Sequence, residues 1–233
     1  MELPYFYEPT LNETSKTLQL SEETHKHAIQ VLRLKANDAL HLTNGKGLLC
    51  RAVITSTDKK QSIAQIQSVQ FFEEMENKIS IGISLLKNTN RLEWFLEKAT
   101  ELGINEIYLL QCHRTEKQHF RFDRFNGILI AAMLQSQQTW LPLLHEPVPM
   151  EKFLPSCNKE IKLIAHCEDG NKIPLNKIKP TANTIVLIGP EGDFTPDEIH
   201  QSLQNNFTAV NLGNTRLRTE TAGVVAATLL MIN

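Results

Sequence analysis

Two short segments near the C-terminus combine residue types that could hold a ligand and stabilise charge. The first, residues 188–194, places Gly189, Pro190 and Gly192 between an apolar run and a helix start. Glycine and proline together form a fixed, tight turn with no side chain to keep a ligand from the backbone. On local features alone, an ordinary strand-to-helix turn and a ligand-binding turn fit this pattern equally well.

The second segment, residues 212–222, gathers charged and hydroxyl side chains after another apolar run. Two arginines, Arg216 and Arg218, stand with Glu220 and two threonines where the predicted sheet ends, a composition that would suit a cofactor and substrate site. A solvated helix cap with surface charges would show the same composition. The two segments therefore predict either a cofactor and substrate site or two unremarkable connections.

Several other classes of site have no support. No Gly-x-x-x-x-Gly-Lys-[Ser/Thr] phosphate loop and no Gly-x-Gly-x-x-Gly dinucleotide motif occurs in the sequence. The four cysteines are far apart, and the eight histidines show no metal-ligand spacing, so we expect reduced thiols and no metal site.

The net charge and the hydropathy of the sequence limit how the protein could bind nucleic acid or a membrane. The 233 residues carry a formal net charge of −2, so any nucleic-acid site must be a local basic patch. The N-terminus has no basic stretch followed by an apolar run, and no apolar run is long enough to span a bilayer. We therefore expect a cytoplasmic protein that does not associate with membranes.

Basic residues cluster in two places. The N-terminal group is His27, Arg33, Lys35, Lys46 and Arg51, and the second group lies within residues 113–124: His113, Arg114, Lys117, His119, Arg121 and Arg124. Phe120 and Phe122 alternate with the second group, as in surfaces where bases stack on aromatic rings. The alternative for residues 113–124 is a solvated loop whose phenylalanines face the core.

The spacing of apolar residues changes near residue 74. Before it, the pattern predicts a helix over residues 21–33 with Ser21 as N-cap, then short strands that include a hairpin turn at Asn44-Gly45. The short strands and polar turns favour a small β-barrel. The polar stretch 73–77 is the expected link, so we predict domains at residues 1–73 and 74–233.

After residue 74, strands and helices alternate, which predicts an α/β fold with a largely parallel sheet. Expected strands cover residues 79–86, 104–110, 161–165, 184–188 and 207–212. The expected helices run from Asn90, as N-cap with Glu93 at N3, to Gly103, and over 122–137 and 219–231. Thr195-Pro196-Asp197-Glu198 predicts a capped helix start. Residues 188–194 and 212–222 are called the two chemical segments from here on. The strands before them are expected to be neighbours, which would place the two segments side by side.

Several motifs, in order along nearly the whole chain, resemble those of the RsmE family. They are Val31-Leu32-Arg33 after His27, Lys98-Ala99-Thr100-Glu101-Leu102-Gly103, Arg114, Gln135-Ser136, Pro142, Gly189-Pro190-Glu191-Gly192 and Leu217-Arg218-Thr219-Glu220-Thr221-Ala222. The resemblance implies a PUA-like β-barrel followed by a SPOUT α/β domain with a C-terminal trefoil knot. It also implies a homodimer that uses S-adenosyl-L-methionine, without a metal, to methylate N3 of a specific uridine in 16S rRNA, within the small ribosomal subunit.

The resemblance also assigns roles to residues. Those expected to bind the cofactor are Leu187, Ile188, Gly189, Pro190, Glu191, Gly192, Leu212, Gly213, Leu217, Arg218 and Thr219, with His166-Cys167-Glu168 as a third wall. The expected catalytic residues are Arg218, Glu220 as base or as an anchor for an arginine, and Arg114, which the partner subunit could supply. The expected RNA-binding residues are His27, Arg33, Lys35, Arg51, Arg114 and Arg121.

The sequence departs from the family pattern at a few positions. Asp193 stands where the family usually has a glycine, Thr215 where it has an arginine, and Leu134 and Gln138 replace a glutamate and an arginine. These changes leave three alternatives open. The chain could bind RNA without catalysis, could methylate a ribose 2′-hydroxyl or another base, or could be a small-molecule enzyme, which would leave the barrel and the basic segment unexplained.

Overall fold

The computed structural model describes residues 3–116 and 120–232. The chain divides into two compact units: the first ends at Glu74 and also includes Met133–Leu141, and the second holds Met75–Ala132 and the chain from Pro142 onward. Trp140 Nε1 donates to the Phe72 carbonyl at 2.9 Å, and Leu141 N donates to the Gly45 carbonyl at 2.9 Å. These bonds account for the return of the chain to the first unit, which the sequence did not predict.

A five-stranded sheet forms the first unit. Its strands are β1 (Tyr5–Tyr7), β2 (Thr17–Gln19), β3 (Ala39–Thr43), β4 (Leu48–Thr57) and β5 (Ser62–Phe71), in the order β1-β3-β4-β5-β2. β1 and β3 are parallel, and the other pairs are antiparallel. The predicted Asn44-Gly45 turn joins β3 to β4, with Gly45 at φ +69°, a left-handed conformation that glycine adopts without strain.

The first helix is shorter than predicted. α1 covers Glu22–His25, and a π-helix follows over Lys26–Val31. Ser21 caps α1 as expected, its Oγ accepting from Thr24 N at 3.3 Å. The chain then leaves the helix at Arg33, which has φ +57°.

The second unit contains a seven-stranded sheet in which every pair is parallel. The strands are β6 (Ile79–Ser84), β7 (Glu106–Gln111), β8 (Leu143–Pro149), β9 (Ile161–Ala165), β10 (Ile173–Pro174), β11 (Thr184–Ile188) and β12 (Thr208–Asn211). Their order is β10-β12-β9-β11-β6-β7-β8. The helices of the chain after α1 are α2 (Thr89–Glu101), α3 (Phe122–Gln135), α4 (Met150–Ser156), α5 (Pro196–Gln204) and α6 (Thr219–Met231).

The central strands are buried along their whole length because both faces of the sheet are covered. All residues of β6 and β11 are buried, as expected for a parallel sheet between layers of helices. Gly82 allows β6 to pack closely against β11, since a Cβ there would stand 2.6 Å from a Leu187 methyl group. The predicted α/β fold with a parallel sheet is confirmed.

Two sequence predictions about these elements were wrong. The N-cap of α2 is Asn88 instead of Asn90, because the Asn88 side chain accepts from Asn90 N at 3.0 Å. The strands before the two chemical segments, β11 and β12, are not neighbours, because β9 lies between them. The carboxyl ends of all three strands nevertheless meet at one edge of the sheet.

Candidate functional site

A cavity of about 550 Å³ opens at this edge of the second unit. Three connections surround it, following β9, β11 and β12. The lining residues are Ala165, His166, Cys167, Lys172, Ile188, Gly189, Pro190, Glu191, Asp193, Val210, Asn211, Leu212, Gly213, Asn214, Thr215, Arg216, Leu217, Arg218, Thr219 and Ala222. The structure therefore brings the two chemical segments together around one space.

The connection after β11 is a tight turn. Asp193 N donates to the Pro190 carbonyl at 2.9 Å, and the Phe194 side chain is buried in the core. A Cβ at Gly189 would stand 3.1 Å from the Phe194 amide nitrogen, closer than such contacts normally come. Glycine at this position therefore lets the turn fold back on itself beside the cavity.

The connection after β12 exposes its arginines. Arg218 is exposed and stands at the N-cap position of α6 without a side-chain capping bond. Its guanidinium makes no hydrogen bond or ion pair with the part of the chain that the structure describes, so it is available to a ligand. Thr219, in contrast, is buried. It is the first residue of α6, where the chain turns into the core.

The connection after β9 forms the third wall. Lys172 Nζ donates to the carbonyls of His166 at 3.1 Å and Glu168 at 2.7 Å, which folds this loop onto itself. Burial, together with the Lys172 ammonium, lowers the pKa of His166, so its ring is mainly neutral near pH 7. Asp193 Oδ2 accepts from Cys167 N at 2.7 Å and joins this wall to the turn after β11.

Three of the residues expected around the cofactor do not line the cavity: Leu187, Gly192 and, in the third wall, Glu168. Leu187 packs in the hydrophobic core with Phe194, because neighbouring residues of a strand point to opposite faces and Ile188 takes the position by the cavity. Gly192 faces Arg114 instead, and a Cβ there would stand 3.2 Å from the Arg114 Cδ.

Glu220 also lies away from the cavity, although it follows Arg218 by only two residues. It is 7% exposed, and its Oε1 stands 3.6 Å from Nε of Arg91 in the first turn of α2. Its Oε2 is buried and has no hydrogen-bond partner among the described residues. The pairing with Arg91 matches the anchoring alternative for Glu220 more closely than the role of a base.

Arg114 contacts the turn after β11 from outside the cavity. Its Nη1 donates to the Gly192 carbonyl and, at 3.4 Å, to the Phe194 carbonyl. The preceding residue, His113, donates its backbone N–H to Glu198 Oε1 at 2.7 Å. Within this chain, Arg114 therefore supports the turn.

The expected RNA-binding residues of the first unit are solvent-exposed: His27, Arg33, Lys35 and Arg51, as is Lys46. The His27 ring lies edge-on against Phe6, with the ring centroids 5.7 Å apart. Arg51 lies in β4 opposite His41. These side chains can reach a partner without a change of fold.

The residues of the second basic group, within 113–124, differ in their exposure and contacts. Arg121 is exposed, whereas Arg124 pairs with Glu93, its Nη2 donating to Oε2 at 2.9 Å. Phe122 is 42% exposed, and Phe120 packs against Phe125 with ring centroids 5.7 Å apart. Lys117 and His119 lie outside the described residues.

Sequence reasoning missed parts of the cavity wall. Lys172 and Asn211 line it although no motif singled them out. The order of the sheet strands, which no local pattern reveals, brings Lys172 to this edge. Among the described residues, no group of three or more His, Cys, Asp or Glu side chains could hold a metal ion, and no helix is both long and apolar enough to cross a membrane.

Two family models match the chain. The model described as "RNA methyltransferase domain" covers residues 73–231, and the one described as "RNA methyltransferase PUA domain" covers residues 20–67. The first lies over the parallel sheet and its cavity, and the second over most of the five-stranded sheet. The expected PUA-like domain followed by an α/β domain is thereby confirmed.

Solved structures and curated relatives agree with the models. A structure of a "probable rRNA-methyltransferase" from Porphyromonas gingivalis is 33% identical, covers 97% of this chain and 95% of its own, and has a TM-score of 0.89. A ribosomal RNA small subunit methyltransferase E from Neisseria gonorrhoeae, solved bound to S-adenosyl methionine, is 28% identical, covers 97% and 95% of the two chains, and has a TM-score of 0.88.

Among curated proteins, ribosomal RNA small subunit methyltransferase E of Rickettsia conorii is 26% identical over 93% of this chain and 89% of its own length. Both domain models and the full-length relatives thus match in the same order along the chain. The chain belongs to the RNA methyltransferase domain family and, within it, to the ribosomal RNA small subunit methyltransferase E (RsmE) family.

Proposed function

We propose that this protein methylates N3 of a specific uridine in 16S rRNA, within the small ribosomal subunit, with S-adenosyl-L-methionine as methyl donor. The observation that carries the proposal is the cavity at the carboxyl edge of the parallel sheet. It is built from the segments that resemble the RsmE motifs, Gly189–Glu191 and Leu212–Thr219. The Neisseria gonorrhoeae relative was solved with S-adenosyl methionine bound.

The cavity fits such a cofactor in size and chemistry. Its volume of about 550 Å³ lies in the usual range of small-molecule sites. Ile188, Leu212 and Leu217 offer apolar contact, while the backbone of the turn after β11 offers amide and carbonyl groups beside Gly189. When bound there, the cofactor supplies an electrophilic methyl group on a sulfonium.

The protein must make uridine N3 nucleophilic. Neutral uridine carries a proton on N3, and its removal leaves an anion whose charge spreads onto O2 and O4. The exposed guanidinium of Arg218, at the edge of the cavity, suits the stabilisation of that anion. Glu220 fits a supporting role, because its carboxylate lies beside Arg91 behind the loop.

The exposed basic residues supply the contact to RNA in this proposal. His27, Arg33, Lys35 and Arg51 on the first unit, with Arg121 on the second, bind phosphates and splayed bases. Arg114 supports the turn at Gly192 within its own subunit and is proposed to reach RNA from the same position.

The proposal includes the assembly that the family resemblance implies. The enzyme acts in the cytoplasm as a homodimer, its second unit carries the trefoil knot, and its chemistry needs no metal. Thr215, where the family has an arginine, lines the cavity beside Arg216, so a basic side chain is still present at this wall.

A methyl-transfer assay tests the proposal. The protein and labelled S-adenosyl-L-methionine are incubated with small ribosomal subunits from a strain that lacks the enzyme, and the modified nucleoside is identified by mass spectrometry. We expect 3-methyluridine. A 2′-O-methylated nucleoside or another methylated base would show a different target, and cofactor binding without any methylated nucleoside would favour an RNA-binding protein without catalysis.

A further inference from the structure

Asp193 occupies a backbone position that suits the glycine usual in the family. Its φ is +63°, in the left-handed region, and its N–H closes the turn onto the Pro190 carbonyl. Aspartate is among the few residues other than glycine that adopt this conformation readily. The turn therefore accepts a carboxylate here without a change in backbone course.

The carboxylate connects two walls of the cavity. Its Oδ2 accepts from Cys167 N at 2.7 Å, and its Oδ1 accepts from Phe194 N at 2.8 Å. Cys167 belongs to the connection after β9, whereas Phe194 lies on the connection after β11. Within the described ranges, the hydrogen bonds between residues 167–172 and residues 190–194 all end on this carboxylate, from the backbone N–H and the side chain of Cys167, and a glycine at 193 could not accept them.

We propose that Asp193 is a positioning residue that holds the wall at His166 and Cys167 against the Gly189–Glu191 turn and so preorganises the cofactor cavity. The inference rests on the proposed function, because it names a residue that shapes the S-adenosyl-L-methionine site. A wall that is already ordered costs less free energy to fix when a ligand binds. The main effect of Asp193 is therefore on cofactor affinity, with little effect on the methyl-transfer step.

The test compares Asp193→Gly with Asp193→Asn. Glycine keeps the left-handed turn but removes the bridge, so we expect the KM for S-adenosyl-L-methionine to rise about five- to tenfold, with kcat within about twofold of wild type. Asparagine also adopts the left-handed conformation, and its amide oxygen can accept from Cys167 N. It should restore most of the affinity.

Asp197→Asn is the matched control. Asp197 lies exposed in the first turn of α5, outside the cavity lining, and the substitution removes the same charge. Its KM for the cofactor should equal that of the wild type. A rise as large as that of Asp193→Gly would overturn the proposal, since the loss of one negative charge near the site would then explain both results.

A second measurement reports the bridge without ligand. Hydrogen exchange of the Cys167 amide should be faster in Asp193→Gly than in wild type and intermediate in Asp193→Asn. Unchanged exchange and unchanged KM in Asp193→Gly would overturn the positioning role. If wild-type protein bound no S-adenosyl-L-methionine, the proposed function would fail, while faster Cys167 exchange in Asp193→Gly would still support the bridge between the walls.

Discussion

Arg218 and Glu220 are two residues apart, yet their side chains meet different surroundings. Arg218 is exposed at the cavity, whereas Glu220 is 7% exposed and faces Arg91. The difference arises because α6 begins at Thr219, and the helix turns the side chain of Glu220 towards α2, which packs against α6. Substitutions at the two positions should therefore affect different properties of the protein.

Arg218→Ala should abolish methylation and leave the fold intact. Loss of one group that stabilises charge in a transition state costs about 10²–10³ in kcat, and an exposed side chain contributes little to stability. Turnover on small subunits and thermal unfolding, measured on the same preparation, check both parts. Wild-type turnover by folded Arg218→Ala protein would exclude a catalytic role for this arginine.

Arg91→Ala should lower the free energy of unfolding by about 1–2 kcal/mol, because the buried Glu220 carboxylate loses its counter-charge. Urea unfolding at pH 7 measures the change. The double variant with Glu220→Gln should lose less than the sum of the two single variants. Arg124→Ala, which breaks the more exposed pair with Glu93, is the control and should lower the free energy of unfolding clearly less. Equal losses in the two variants would argue that burial of Glu220 gives the Arg91–Glu220 pair no special role.

At the scale of elements, a cluster of polar groups ties the start of β7 to its surroundings. Tyr108 donates its hydroxyl to Glu106 Oε2 at 2.6 Å, and Lys159 Nζ donates to the same oxygen at 2.9 Å. The His145 ring on β8 stacks on Tyr108 with centroids 3.9 Å apart, and its Nε2 lies 3.6 Å from Glu106 Oε2. The His145 ring, the Tyr108 hydroxyl and the Lys159 ammonium lower the pKa of Glu106 to about 2, against the opposing effect of burial.

This cluster predicts a pH-dependent stability. A carboxylate with a pKa near 2 in the folded state and about 4.5 in the unfolded state stabilises the fold above pH 4.5, and the effect is lost as the pH falls towards 2. Glu106→Gln should therefore cost about 1–3 kcal/mol at pH 7 and progressively less below pH 4.5. Urea unfolding at pH 7, 4 and 3 measures the difference in the free energy of unfolding between the wild type and Glu106→Gln. A difference that did not shrink as the pH fell would contradict the lowered pKa of Glu106. Glu146→Gln, an exposed residue of β8, should change stability little at any of these values.

At the scale of the whole molecule, we expect a homodimer. Light scattering should give twice the 26.5 kDa mass of the chain at working concentration. The second unit leaves Trp94 and Leu143 42% and 55% exposed, and large apolar side chains of this kind are often covered by a partner. A monomer with full methyl-transfer activity would contradict a site shared between subunits.

The sequence by itself determined the elements that depend on local interactions. The capping box of α5 forms as predicted, with Glu198 N donating to Thr195 Oγ1 at 3.2 Å, because its partners lie within one helical turn. Gly103 ends α2 at φ +87°, since a residue without Cβ is favoured there. The Pro-rich strand β8 and the short helix α4 were missed, because Pro147, Pro149 and Pro155 argue locally against regular structure.

Only the tertiary structure decided which connections share a cavity. The order β12-β9-β11 inserts a strand between the two chemical segments and brings Lys172 to the site. The packing of α6 against α2 buries Glu220 beside Arg91, and the position of Leu187 on β11 leaves its side chain in the core. These outcomes depend on strand pairing and helix packing between residues far apart in the chain, whereas spacing along the sequence reports only which neighbours lie within a turn or a strand.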